Sequence, residues 1–277
     1  MIQLFYLRNT TVIHERYRGE KKKKKDKALL TARRLFLQDP KKPVTFSEAY
    51  WKGAKVQLKA ETHRKCAYCE ADTATVAHGD VEHYRPKSIY WWLAYTYDNY
   101  LFACQICNQT YKGDNFPIKG KRFPAPAITA VTTDPEIDAL QGLISPDPLL
   151  ALLIDYKLAT YVKHHQAEQA LLLNPYLDDP KAFIAYEADD IIREVSIVAK
   201  NRKAKPYIKA MEDHYGINRL ELRNLRYKIF KAFRLFKKNL AKTTDPAEIK
   251  EIQEQIDEML APDYMFAGMN RYFNDKV

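Results

Sequence analysis

A chain of 277 residues carrying 29% charged residues and a net charge of +10 is long enough for one large domain or two modest ones, and its 12 Phe, 3 Trp and 19 Tyr supply a core. This composition excludes a disordered chain, and no apolar run approaches the ~18 residues that a membrane-spanning helix needs. The positive balance is confined to residues 1–60, at +11, against +1 for 61–125 and −2 for the remainder. Such a concentration can attract phosphate polyanions or simply keep a surface solvated.

The opening, MIQLFYLRNTTVIHERYRGE, lacks a charged segment leading into an apolar stretch and a small-residue cleavage site, so a cytoplasmic protein is expected. KKKKKDKALLTARRLFLQ predicts a helix in which the run Lys21 to Lys25 gives way to an apolar stripe at Leu29, Leu30, Leu35 and Leu37, ending before Asp39-Pro40. The lysine run resembles a nuclear localisation signal by composition alone and is read as a solvated helix start. A second helix is expected from TFSE, with Thr45 as cap and Glu48 completing a capping box, running through Tyr50, Trp51, Ala54 and Leu58 toward Cys66. Residues 1–60 thus form a basic helical N-terminal region.

All four cysteines lie in two CxxC pairs, CAYCE at 66–70 and CQICN at 104–108. In a reducing compartment such pairs are better metal ligands than disulfides, and together Cys66, Cys69, Cys104 and Cys107 offer the tetrahedral thiolate set that structural Zn²⁺ favours. Redox or unpaired cysteines are the alternative. The long gap between the pairs must enclose a small structure of its own. Within it, VEHYRP reads as a short strand ending at Glu82 and His83, followed by a turn at Pro86. Trp91 and Trp92 could stack on bases or pack locally. Residues 61–125 are the candidate functional core.

Six prolines between Phe116 and Pro148 mark residues 126–148 as a surface connection. Residues 149–277 return to helical spacing. Leu222, Leu225, Ile229, Phe230, Phe233, Phe236 and Leu240 form one apolar face. DPAEIKEIQEQIDEML follows, with Asp245 as N-cap, Pro246 at the first position and Glu248 as capping-box partner, and the two helices suit an antiparallel hairpin.

The order of CAYCE, VEHYRPK, DNYLFACQICN and YKGDNFP resembles the HNH endonuclease family, with its ββα-metal or His-Me finger fold. The wider chain, through LLLNPYLDDP at 171–180 and YGINRLELRNLR at 215–226, is similar to HNH proteins of Septu-type and some retron-associated bacterial anti-phage systems. The implied fold is mainly α with a small α+β insertion, a zinc-clasped ββα-metal core flanked by N- and C-terminal helical regions. The resemblance implies His83 as general base, Glu82 and Asn108 as ligands of a catalytic Mg²⁺ or Mn²⁺, and Asn99 as a brace for the loop carrying the base. Arg85, Lys87 and Lys112 are candidate contacts to nucleic acid, DNA being the implied substrate, although each could be an ordinary surface cation. A separate ATPase subunit is the implied partner. The alternative is a zinc-stabilised DNA-binding or partner-binding module without catalysis.

Overall fold

A computed structural model describes residues 1–73, 75, 77–149 and 158–276. The apolar stripe of the N-terminal sequence buries Leu29 and Leu30 in helix α1 (Gly19–Gln38), but Leu35 is exposed. In its place the helix buries Lys22 and Asp26, paired at 2.7 Å, with Lys22 also donating to the Ser145 carbonyl. The lysine run is therefore not a free basic surface. Lys21 pairs with Glu15, Lys23 with Glu20, and Lys25 sits over the rings of Tyr50 and Tyr95.

The helix expected from TFSE divides into α2 (Glu48–Lys52) and α3 (Lys55–Glu61), and Ser47 rather than Thr45 occupies the cap position, with no side-chain cap bond. The break falls at Gly53, whose added Cβ would lie 2.8 Å from the Arg16 guanidinium. Close packing on the turn ahead of α1 decides the division, which helical periodicity alone does not register.

Two short strands, β1 (Asp80–His83) and β2 (Tyr100–Ala103), form an antiparallel pair with Glu82 opposite Leu101 and His83 opposite Tyr100. A π-helical turn (Ile106–Lys112) follows directly, so strand, strand and helix form one compact unit. Trp91 and Trp92 between the strands are both buried, packed edge to face, which settles them as core residues.

The Pro-rich connection carries its own helix, α4 (Asp134–Leu140), opened by a capping box between Thr133 and Glu136. It docks on α1, whose Arg34 and Gln38 donate to the carbonyls of Thr132 and Ala130. After α5 (Leu158–Glu168) the chain makes a hairpin of β3 (Ile184–Asp189) and β4 (Glu194–Ala199), which the reading of 149–277 as helical did not anticipate. Its strands do not alternate: β3 buries its first three residues and exposes its last three, and β4 buries two adjacent residues at its start, so the period-two signal of a strand is missing. The fold is mainly α, with two small antiparallel sheets.

Helix α6 (Lys205–Tyr215) ends at Gly216 in the left-handed region, φ 59°, where a Cβ would stand 2.5 Å from the Tyr111 ring. This glycine lets α6 approach the π-helical turn, while Tyr215 stacks on Tyr68 at 3.8 Å. Helices α7 (Leu220–Leu240) and α8 (Pro246–Leu260) pack through Phe233, Ile252, Ile256 and Met259, as their apolar faces predict. Asp245 caps α8 by accepting from Ala247 N, whereas Glu248 accepts from the Thr243 hydroxyl instead of completing a box. Helix α9 (Ala267–Asn274) closes the core against β3 and α7. Buried residues from Met1 to Met269 belong to one main cluster.

Candidate active site and cysteine cluster

The turn after α3 delivers Cys66 and Cys69, and the link from β2 into the π-helical turn delivers Cys104 and Cys107. All four Sγ atoms lie within 4.8 Å of one another, and none is in a disulfide. A Zn–S bond of ~2.3 Å gives a tetrahedron whose sulfurs are about 3.8 Å apart, so small adjustments would close the four thiols on one ion. Cys66, Cys69 and Cys107 are buried and Cys104 is half-buried, and Cys107 N donates to Cys104 Sγ at 3.4 Å, as expected where an amide supports a thiolate. Arg219, at the start of α7, directs its guanidinium at Cys107 Sγ (3.5 Å) and Cys69 Sγ (3.9 Å). Four thiolates around a divalent ion carry excess negative charge, and this cation offsets part of it from outside the ligand shell. Donor chemistry and clustering both suit zinc. Sequence reasoning missed Arg219, which lies 112 residues from Cys107 and has no ligand spacing to betray it.

His83 closes β1. Its Nε2 lies 2.9 Å from the Ala94 carbonyl, which must accept and therefore fixes the hydrogen on Nε2. Nδ1 keeps its lone pair. Edge-on packing by Trp51 from α2 (4.8 Å) and Tyr100 from β2 (5.2 Å) holds the ring, and the Tyr100 hydroxyl donates to the same Ala94 carbonyl. Burial drives the imidazole pKa down to about 3, with Lys87 and Lys112 adding to the effect, so the ring is neutral at physiological pH.

Asn99 is fully buried beside this loop. Its Oδ1 accepts from Arg85 N and its Nδ2 donates to Arg85 O, both at 2.9 Å, so one amide clamps both sides of a residue two positions beyond His83.

Glu82 and Asn108 line the same cleft as His83, an opening of about 480 Å³ between α2–α3, the end of β1 and the π-helical turn. Glu82 is not free there. Its Oε1 pairs with Lys112 Nζ at 2.6 Å and lies 3.5 Å from the Tyr68 hydroxyl, and burial raises its carboxyl pKa although Lys112 opposes the shift. Asp80, two residues earlier and so on the same strand face, accepts from the side-chain amides of Asn108 (3.3 Å) and Gln109 (2.8 Å). Amide and carboxylate oxygens on this wall suit a hard divalent cation, which needs only one or two carboxylates and keeps several waters. Among the described residues, only the four cysteines bring three or more His, Cys, Asp or Glu side chains together.

Two of the three cations read as phosphate contacts are interior. Arg85 is fully buried, bonded through Nε to Glu168 (2.7 Å), through Nη1 to the Tyr161 hydroxyl (2.8 Å) and through Nη2 to His165 Nδ1 (3.2 Å). Lys112 is equally buried, held by Glu82 and the His83 carbonyl (3.0 Å). Neither can meet a phosphate without breaking the interior, because an unpaired buried charge is costly. Only Lys87 faces the cleft, 5.5 Å above the Trp51 ring. Of the remaining histidines, His78 is exposed and His165 is buried with its Nε2 3.0 Å from Asp178. Sequence reasoning also passed over Lys52 and Lys55, which line the cleft from α2–α3.

No family model matches this sequence, and no solved structure does. The chain is 28% identical over 218 residues to the Septu protein PtuB of Bacillus mycoides (strain KBAB4). The match covers 73% of this chain and 58% of the relative, so the chain spans little more than half that protein's length. Among the described residues no helix is long and apolar enough to cross a membrane.

Proposed function

We propose that this protein is a metal-dependent HNH-type endonuclease that hydrolyses phosphodiester bonds of nucleic acid, DNA being the first candidate, as an effector of Septu-type anti-phage defence. The observation that carries the reading is His83: an imidazole whose Nε2–H is committed to the Ala94 carbonyl, leaving Nδ1 as an acceptor, on a residue that lines the same polar cleft as Asn108. The similarity to a Septu protein supports the biological setting.

In this reading His83 Nδ1 takes a proton from water, the resulting hydroxide attacks phosphorus, and the P–O3′ bond breaks, the departing oxygen gaining a proton from solvent. Trp51 and Tyr100 hold the ring in one orientation, and Asn99 braces the loop that follows. Asn108 and the carboxylate wall, Glu82 and Asp80, would hold Mg²⁺ or Mn²⁺, which when bound neutralises charge on the phosphate and the leaving oxygen. Zinc at the four cysteines would lock the β2 end and the π-helical turn, setting the position of Asn108. A separate ATPase subunit is the partner that fits a Septu-type system.

One observation favours the alternative, a zinc-stabilised binding module without catalysis: Lys112 already neutralises Glu82. Incubating the purified protein with single- and double-stranded DNA and RNA in EDTA, Mg²⁺ or Mn²⁺ separates the two. A nuclease cuts with added cation, and His83→Ala slows cutting by about 10²- to 10⁴-fold. Binding without cutting under every condition would select the module.

A further inference from the structure

The cleft is lined unevenly. Its floor, on β1 and the π-helical turn, carries Asp80, Asn108 and Gln109, tied together by hydrogen bonds. Its opposite lip, from α2–α3 and the loop after β1, carries Lys52, Lys55 and Lys87. Lys52 pairs with Glu48 one turn earlier, but both side chains are about two-thirds exposed, and water and salt screen such a pair, so the ammonium can exchange partners easily. Among the described residues Lys55 and Lys87 form no ion pair, and Lys87 rests its charge above the Trp51 ring that also orients His83. The obvious alternative anion surface, the Lys21 to Lys25 run, is largely engaged by Glu15, Glu20, Asp26 and two tyrosine rings.

We infer that the α2–α3 lip is the phosphate-binding wall of the cleft: Lys52, Lys55 and Lys87 hold successive backbone phosphates of one nucleic-acid strand, with its phosphodiester turned toward His83. This rests on the nuclease reading for the chemistry at His83, but the binding wall stands independently of cleavage. The cleft, about 480 Å³ in volume, receives the backbone of one strand. That backbone can come from a free single strand or from one edge of a duplex lying across the lip. Acid on the floor and base on the lip would let a strand lie between them, its flanking phosphates on the lysines and its scissile phosphate toward the floor.

The test measures binding alone. Fluorescence anisotropy of the zinc-loaded full chain carrying His83→Ala, without added Mg²⁺ or Mn²⁺, with a labelled single strand and the matching duplex, yields the slope of log K against log salt. Each lost phosphate contact lowers that slope by ~0.7 on a single strand and ~0.9 on a duplex. Lys52→Gln/Lys55→Gln/Lys87→Gln should therefore reduce it by about 2 on a single strand and about 2.7 on a duplex. Lys52→Gln/Lys55→Gln, at exposed or half-exposed positions that fold without them, should reduce it by about 1.4 to 1.8. Lys21→Gln/Lys24→Gln should leave it unchanged. Whichever probe shows the larger affinity loss identifies the source of the strand. A slope unchanged in both cleft variants, a slope that falls only in the α1 variant, or no binding of either probe would overturn the inference. Retained lysine-dependent binding by a protein that never cuts would discard the nuclease reading and keep the wall.

Discussion

Replacing Glu168 with Gln isolates the buried charge pair on which the loop after His83 depends. Glu168 and Arg85 are both fully buried, and the carboxylate accepts from Arg85 Nε at 2.7 Å, the Tyr90 hydroxyl at 2.6 Å and Phe123 N at 3.0 Å. Glutamine keeps the shape and one acceptor oxygen but removes the charge and turns an amide N–H₂ toward one of three donors. Arg85 cannot shed its proton, so it stays cationic without a counter-charge. Removing one partner of such a pair costs about 3–5 kcal/mol, which in a protein of this size lowers Tm by about 6–10 °C. Differential scanning calorimetry reads the shift directly. Hydrogen exchange adds a local signature: the Arg85 amide, bonded to Asn99 Oδ1, should lose protection beyond the global change. Arg85→Met/Glu168→Leu, which leaves no charge behind, should cost much less than Glu168→Gln. A Glu168→Gln protein that melts within about 2 °C of wild type, or a double variant as unstable as the single, would refute the claim that this pair is held by charge compensation.

Cys104→Ala should abolish stoichiometric zinc measured by elemental analysis and lower the melting temperature, because removing one thiolate opens the four-sulfur cluster; retention of a full equivalent would place zinc elsewhere. Arg219→Ala should weaken zinc retention by about 10- to 100-fold in a chelator competition while leaving the four ligands in place, since its guanidinium reaches Cys107 and Cys69 from outside and otherwise donates to the Gly216 carbonyl. His83 makes stability fall in acid: its folded pKa is about 3 against 6.5 when exposed, so between those values the unfolded chain binds the extra proton. That contribution is intact above about pH 6.5 and is lost at ~1.4 kcal/mol per pH unit as pH falls toward 3, and His83→Gln should flatten the decline seen in urea titrations at pH 7, 6 and 5.

Local chemistry made much of the core readable from the chain alone. The two CxxC pairs sit in one cluster because each needs only a tight turn to bring two sulfurs together, and the short strand ending in the adjacent polar groups Glu82 and His83 is bounded by the turn at Pro86. The α7–α8 pairing followed from helical spacing and Asp245-Pro246, because a helix start and an apolar face are written within a few residues. Partner choice across the fold was not written there. Arg85, Lys87 and Lys112 are alike as cations in the sequence, yet Glu168, 83 residues from Arg85, draws that side chain inside, Glu82 captures Lys112, and only Lys87 reaches the cleft. The same holds for the lysine run, whose charges are taken up by Asp26, Glu15 and aromatic rings, and for Arg219 behind the cysteines. A charged side chain's role depends on whether its burial is compensated by a counter-charge, and only the packed chain decides which groups come close enough to supply one.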